Sequence, residues 1–250
     1  MSSRLRVIAG PNGSGKTSIF ELVKNYKDKG KVISTGPFVN SDQIEKTFRE
    51  KGLIKLSDYG LQSVEPTIIE DYLKLSSLIA PYDPGIVKGL VQLEENCLRL
   101  IGKNSSPYLG MVISDLVREE LLKRAISFTM ETVFSHPDKV RFMERSKSLD
   151  YKVYLYFVST ESPEINIQRV EGRVEAGGHD VPVNKIRERY ERTMNNLQAA
   201  LKIAHRAYLF DNSGRETRQV AEKDRDGTII LEKEVPSWIF KYLQIENVKP

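Results

Sequence analysis

The 250-residue chain is 40% hydrophobic and 29% charged, which provides for a packed core and excludes a disordered polyelectrolyte. Its net charge of +4, with acids and bases interspersed, suits an anionic small ligand and is too mild for a nucleic-acid binder. A single cysteine, Cys97, excludes an internal disulfide, and no apolar run approaches the ~20 residues of a membrane span, so a reducing cytoplasm is the expected compartment.

In chain order, Leu5-Arg6-Val7-Ile8-Ala9 reads as a short strand bounded by Gly10, which leaves no room for a signal peptide before it. Residues 17–26 read as a helix, with apolar Ile19, Phe20, Leu22 and Val23. A second strand ends at Phe38-Val39-Asn40. Residues 51–109 have helical character and form an insertion. Within it Asp83 and Pro84 signal a helix start, and Ile86, Leu90, Leu93, Leu98 and Ile101 recur at near-helical spacing, with Cys97 as a core residue. Ser106 and Pro107 repeat the start signal.

A third strand runs from Ile126 to Met130 and ends at Glu131, and Val153-Tyr154-Leu155-Tyr156-Phe157-Val158 forms a fourth. Residues 206–210 form a fifth, closed by the turn sequence Asp211-Asn212-Ser213-Gly214. A hairpin is expected around Asp226-Gly227, then a short helix over 236–243. Alternating strands and helices imply an α/β fold with a parallel sheet covered by helices on both faces, built as one domain over residues 1–250.

The densest chemical signal is Gly10-Pro11-Asn12-Gly13-Ser14-Gly15-Lys16-Thr17, which satisfies G-x-x-x-x-G-K-[ST] at every fixed position. Glycines let successive backbone N–H groups turn inward around phosphate oxygens, and the following helix aims its positive end at the same point. Lys16 then reaches the β- and γ-phosphates of ATP, and the Thr17 hydroxyl ligates Mg²⁺. The motif sits directly after a strand and opens a helix, as that chemistry needs, yet it leaves the phosphate acceptor open.

Ligands of open α/β sheets bind beyond the carboxyl ends of the strands, which directs attention to Asp42, Glu131 and Thr132. Asp42 has two readings: a base for an acceptor hydroxyl, or the N-cap of the helix that follows. Glu131 either binds the acceptor or metal-bound water, or is a solvated strand end. Residues 166–204 form an arginine-rich segment. Arg169 and Arg173 share a helix face, Gly177-Gly178-His179 breaks the chain, and a second helix carries Ile186, Tyr190 and Leu197 beside Lys185, Arg189 and Arg192. One reading is a lid that closes over ATP, with His179 a hinge or packing residue. The other is a solvated amphipathic pair in which Glu171, Glu175, Glu188 and Glu191 neutralise the arginines.

Taken together, the phosphate loop, Asn40-Ser41-Asp42-Gln43-Ile44, residues 128–135 (FTMETVFS), residues 169–190 with their Gly-Gly-His-Asp-Val-Pro core, and Leu209-Phe210-Asp211-Asn212-Ser213 resemble the zeta-toxin family of P-loop kinases. The likeness lies nearest the stand-alone bacterial members described as predicted ATPases. It implies a three-layer P-loop kinase-type fold that moves the γ-phosphate of ATP to a hydroxyl of a small molecule, in characterised members the amino sugar of UDP-N-acetylglucosamine. It further implies Asp42 as base, Glu131 at the acceptor, Arg173 with Arg187 or Arg189 on the phosphates, and an antitoxin-like protein as a partner. Two departures concern the acceptor: Gln-Ile follows the aspartate here, and residues 51–109 are an insertion relative to compact members, with two readings, a roof over the acceptor pocket or a peripheral helical elaboration or dimer surface. The competing functions are a regulatory ATPase module that acts through a partner protein and a nucleic-acid-end kinase. The latter would prefer a more basic groove.

Overall fold

The computed structural model describes residues 2–75, 89–102, 106–178, 180–244 and 248–249. The helix start expected at Asp83 and Pro84, the position Ile86 and the role expected of His179 lie outside them. The chain divides into two compact units, Met1–Thr35 with Met130–Pro250, and Gly36–Thr129.

The chain opens with β1 (Arg4–Ala9), α1 (Lys16–Asn25), β2 (Lys27–Asp28) and β3 (Lys31–Val32). The second unit follows with β4 (Phe38–Val39), α2 (Ser41–Lys51), β5 (Leu53–Lys55), α3 (Ile68–Leu75), β6 (Val91–Glu94), β7 (Cys97–Leu100) and α4 (Pro107–Lys123). The strand β8 (Phe128–Thr132) crosses the boundary. The first unit then resumes with α5 (Asp138–Ser148), β9 (Lys152–Ser159), α6 (Pro163–Glu175), α7 (Val183–Ile203), β10 (Arg206–Asp211), β11 (Arg218–Lys223), β12 (Ile229–Leu231), α8 (Ser237–Tyr242) and β13 (Val248–Lys249).

In the first unit the sheet runs β13-β12-β11-β10-β9-β1-β8. The β1–β9 and β9–β10 pairs are parallel, with Ala9 beside Phe157 and Phe157 beside Leu209, so the three strands end along one edge. Such strands are apolar on both faces. Accordingly Leu5, Val7, Ile8 and Ala9 of β1 and Leu155, Phe157 and Val158 of β9 are fully buried, each large side chain worth about 2 kcal/mol. The expected C-terminal hairpin is present: β11 turns antiparallel into β12 through Gly227, whose φ is +91°. The helix α8 then buries Trp238.

In the second unit α2 packs against α4, whose N-cap Ser106 accepts from the Leu109 N–H at 3.2 Å, as the Ser-Pro signal predicts. The helical reading of residues 51–109 is corrected. Among the described residues helix is confined there to α3, a 3-10 turn over Leu56–Tyr59 and the start of α4, while β5, β7 and β6 form an antiparallel sheet in that order. Glu95 and Asn96 both have positive φ, 47° and 61°, the conformation of a tight two-residue hairpin turn. Leu93 and Leu98 face each other as a cross-strand pair, so their spacing belongs to two strands joined by a turn. Cys97 is correspondingly a half-buried strand residue with a free thiol. Among the described residues no helix is long and apolar enough to cross a membrane.

Candidate active site

The loop over residues 10–15 leaves the buried end of β1 and enters α1. No side chain caps α1, and its first turn holds no acidic residue, so the positive end of the helix is uncompensated. Lys16 Nζ donates to the Pro11 carbonyl at 2.9 Å, curling over its own loop. Ser14 is fully buried and its Oγ has no hydrogen-bond partner among the described residues, an orphaned donor inside the loop. Glycines, an unopposed helix start and a lysine fit a polyphosphate, and the exposed Thr17 is the residue that would hold Mg²⁺.

Two asparagines touch the loop, and neither is marked by the motif. Asn166 of α6, fully buried, donates from Nδ2 to the Asn12 carbonyl at 2.6 Å. Asn212, just past β10, donates to the Ser14 carbonyl at 2.9 Å. The turn that carries Asn212 is fixed by the buried Asp211, whose carboxylate accepts from the Ser213 hydroxyl at 2.8 Å and from Trp238 Nε1 of α8 at 3.0 Å. Asn212 lies within the predicted turn sequence, but its reach of 198 residues back along the chain has no local signal.

The end of β8 is held by α7. Thr132 Oγ1 accepts from the Phe134 N–H at 3.1 Å, with Phe134 at a φ of +64°. Thr193 Oγ1 donates to Val133 O at 2.7 Å, and Asn196 Nδ2 donates to Phe134 O at 2.9 Å. Glu131 is half-buried beside this turn, in the same unit as the phosphate loop. Tyr190, buried on α7, donates its hydroxyl to Thr160 O at 2.7 Å past the end of β9, and burial pushes its phenol well above the usual range.

The arginine segment folds as two helices, α6 and α7, joined through Gly177 and Gly178 and packed through Ile167, Val170, Val181 and Ile186. Arg173 is exposed in the last turn of α6, and Arg169 reaches the Gly214 carbonyl at 3.3 Å. Arg187 pairs with Glu164 at 2.7 Å, both side chains more than half exposed. Arg189 is half-buried and has no hydrogen bond or ion pair among the described residues. The exposed Arg187–Glu164 pair is screened by solvent and adds little to stability.

Asp42 belongs to the second unit, and the structure decides one of its two readings. The cap of α2 is Asn40, whose Oδ1 accepts from the N–H groups of Asp42 at 2.8 Å and Gln43 at 3.1 Å. The exposed Asp42 carboxylate takes no part in that cap and has no partner among the described residues.

The zeta toxin family model matches residues 109–228, just under half of the chain. That stretch spans β8, β9, α6, α7 and β10 and omits the phosphate loop, so the two signals are independent. An uncharacterized protein of Haemophilus influenzae is 30% identical over 69 residues, which cover 28% of this chain and 49% of that protein. The crystal structure of the AvrRxo1-ORF1:AvrRxo1-ORF2 complex matches with a TM-score of 0.60 at 13% identity, over 98% of this chain and 65% of the matched one. The same complex with ATP gives 0.54 at 13% identity, over 96% and 63%. This chain thus spans about half the length of the curated relative and under two thirds of the solved chains, and at these identities the solved structures share a fold. Residues 109–228 thus match the zeta toxin family model, and the chain as a whole has a P-loop kinase-type α/β fold.

Proposed function

We propose that the chain is an ATP-dependent phosphotransferase that moves the γ-phosphate to a hydroxyl of a small molecule. The observation that carries the reading is the complete phosphate loop running into the uncapped start of α1. The family match over residues 109–228 supports it from outside that loop. In the proposed reaction the acceptor oxygen attacks the γ-phosphorus, the bond from that phosphorus to the β,γ-bridging oxygen breaks, and ADP leaves. Asp42 takes the acceptor proton. Lys16 and the loop N–H groups hold the β- and γ-phosphates, and Arg173, Arg187 and Arg189 meet the charge that spreads over the transferring group. Thr17 would hold Mg²⁺, which would supply charge neutralisation for the phosphates.

Glu131 and Thr132 are assigned to the acceptor, and residues 51–109 to its selection. A UDP-amino sugar is the proposed acceptor class, on the resemblance to characterised zeta toxins. A protein partner is proposed as well, since the AvrRxo1-ORF1 structure was solved as a complex with AvrRxo1-ORF2. The test is an acceptor screen with γ-labelled ATP, UDP-amino sugars included, run on wild type and Lys16→Ala. Label transferred by wild type alone supports the proposal. ATP hydrolysis that no small molecule stimulates, and that a protein partner alters, would replace it with the regulatory ATPase reading.

A further inference from the structure

A phosphate cradle needs backbone N–H groups turned inward. A planar trans peptide sets its C=O opposite its N–H, so fixing a carbonyl on the outside of a loop fixes the next residue's N–H on the inside. The loop over residues 10–15 is held in this way at two alternate peptides. Asn166 Nδ2 takes the Asn12 carbonyl at 2.6 Å and so sets the N–H of Gly13. Asn212 Nδ2 takes the Ser14 carbonyl at 2.9 Å and so sets the N–H of Gly15.

The amide orientations follow from chemistry. A backbone carbonyl only accepts, so each asparagine must turn its nitrogen to the loop. A threonine hydroxyl contacts the other end of each amide: Thr160 Oγ1 shares its one hydrogen between Asn166 Oδ1 and the Ser162 carbonyl at 3.0 Å, and Thr217 Oγ1 donates to Asn212 Oδ1 at 2.8 Å. The same asparagines account for the residue type that follows each fixed carbonyl. Gly13 and Gly15 have φ of +74° and +98°, and a Cβ on Gly13 would lie 2.7 Å from the Asn166 carbonyl oxygen, while one on Gly15 would collide with Asn212 Nδ2. The Asn166 backbone and the Asn212 side chain therefore occupy the space that a Cβ at Gly13 and Gly15 would need.

We propose that Asn166 and Asn212 are positioning residues that pre-form the phosphate cradle by clamping its two alternate carbonyls from outside, each oriented by its own threonine. The proposal rests on the reading of residues 10–17 as the phosphate site. With a clamp removed, the peptide is free to rotate, and the folded protein binds ATP more weakly because the N–H must be re-aimed on binding.

The test measures ATP affinity by calorimetry at 25 °C, in Mg²⁺, on protein shown folded by circular dichroism. Asn212→Leu and Asn166→Leu, which remove the donor without adding charge, are expected to raise the ATP Kd about tenfold. Asn166 is fully buried and its variant can fail to fold, so Thr217→Val supplies a second route. It leaves the loop untouched and is expected to weaken ATP about threefold, with Thr217→Ser restoring wild-type affinity. A merely structural role would lower the melting temperature and leave the Kd of the folded protein unchanged. Wild-type Kd in folded Asn212→Leu and in Thr217→Val would overturn the clamp. Lys16→Ala serves as the separate control: retained ATP binding there refutes the phosphate site itself, whereas lost binding there with wild-type Kd in the clamp variants refutes only the clamp.

Discussion

Lys16 Nζ donates a hydrogen bond to the carbonyl of Pro11 at 2.9 Å, five residues earlier in the same loop. The ammonium is thereby held against its own loop, and a bound phosphate oxygen would compete with the Pro11 carbonyl for it. Lys16→Ala should abolish phosphoryl transfer, with a loss of at least ~3 kcal/mol of transition-state stabilisation. Because the lysine is only part-buried, its melting temperature should stay near that of wild type. Transfer at the wild-type rate by a well-folded variant would refute the assignment.

Asn40 and Asp42 separate stability from chemistry on a single helix start. Asn40 caps α2, so Asn40→Ala should cost about 1 kcal/mol of stability. Asp42 is exposed and outside the cap but lies in the first turn of α2, so Asp42→Asn should cost less than about 1 kcal/mol of stability and leave ATP affinity unchanged, while transfer falls by roughly 10²-fold or more. Urea denaturation, ATP titration and a rate assay on the two variants test both assignments. Unaltered transfer by Asp42→Asn would remove it from the chemistry.

Asn96 joins the β6–β7 turn to the loop over residues 61–64 in the second unit. It occupies the left-handed region at a φ of +61°, its Nδ2 donates to Leu61 O at 2.8 Å, and its Oδ1 accepts from the Val64 N–H at 3.2 Å. Asn96→Ala loses both bonds and an easy left-handed backbone, a combined cost of about 3 kcal/mol. Asn96→Gly keeps the backbone freedom and should lose about 1 kcal/mol less. Equal losses in the two variants, measured by chemical denaturation, would contradict the turn geometry.

His205 makes stability depend on pH. Burial, together with the cationic Lys152, Arg225, Lys223 and Arg206, lowers its pKa below the usual value for histidine. The unfolded chain, with its ordinary value near 6.5, therefore binds the proton more readily than the native state. Stability should be insensitive to this group above about pH 7.5 and should fall as pH drops through about 6.5 toward the lower native value. His205→Gln should flatten that part of the curve. Identical melting curves for the two proteins between pH 7.5 and 5.5 would exclude the effect.

The central strands were legible in the sequence because buried parallel strands appear as short apolar runs, and residues 152–158 are the clearest case. The phosphate loop was legible because its chemistry fixes residue types at fixed spacing. The hairpin at 91–100 was not, since Leu90, Leu93, Leu98 and Ile101 mimic a helical period across a turn. The signal that could have revealed it was Glu95-Asn96 between the alternating runs Val91-Gln92-Leu93-Glu94 and Cys97-Leu98-Arg99-Leu100. Asn40 and Asp42 both suit the cap of α2 by residue type, and only the structure assigns it to Asn40. The sequence marks Asn212 only as part of a turn and a family-like segment and does not mark Asn166, because their contacts with the loop lie 198 and 154 residues away, which no local pattern encodes.

The contact between Asn212 and Ser14 also bears on biosynthesis. Synthesis begins at the N-terminus, so the loop over residues 10–15 leaves the ribosome long before β9, α6 and β10 exist. Its parent strand β1 pairs with β9, about 150 residues later, and its second carbonyl brace comes later still. Contacts this distant in sequence form late, after the closure of a long loop has been overcome. A nascent chain can therefore expose the complete phosphate-loop sequence and still lack a shaped nucleotide site until Asn212 has been made.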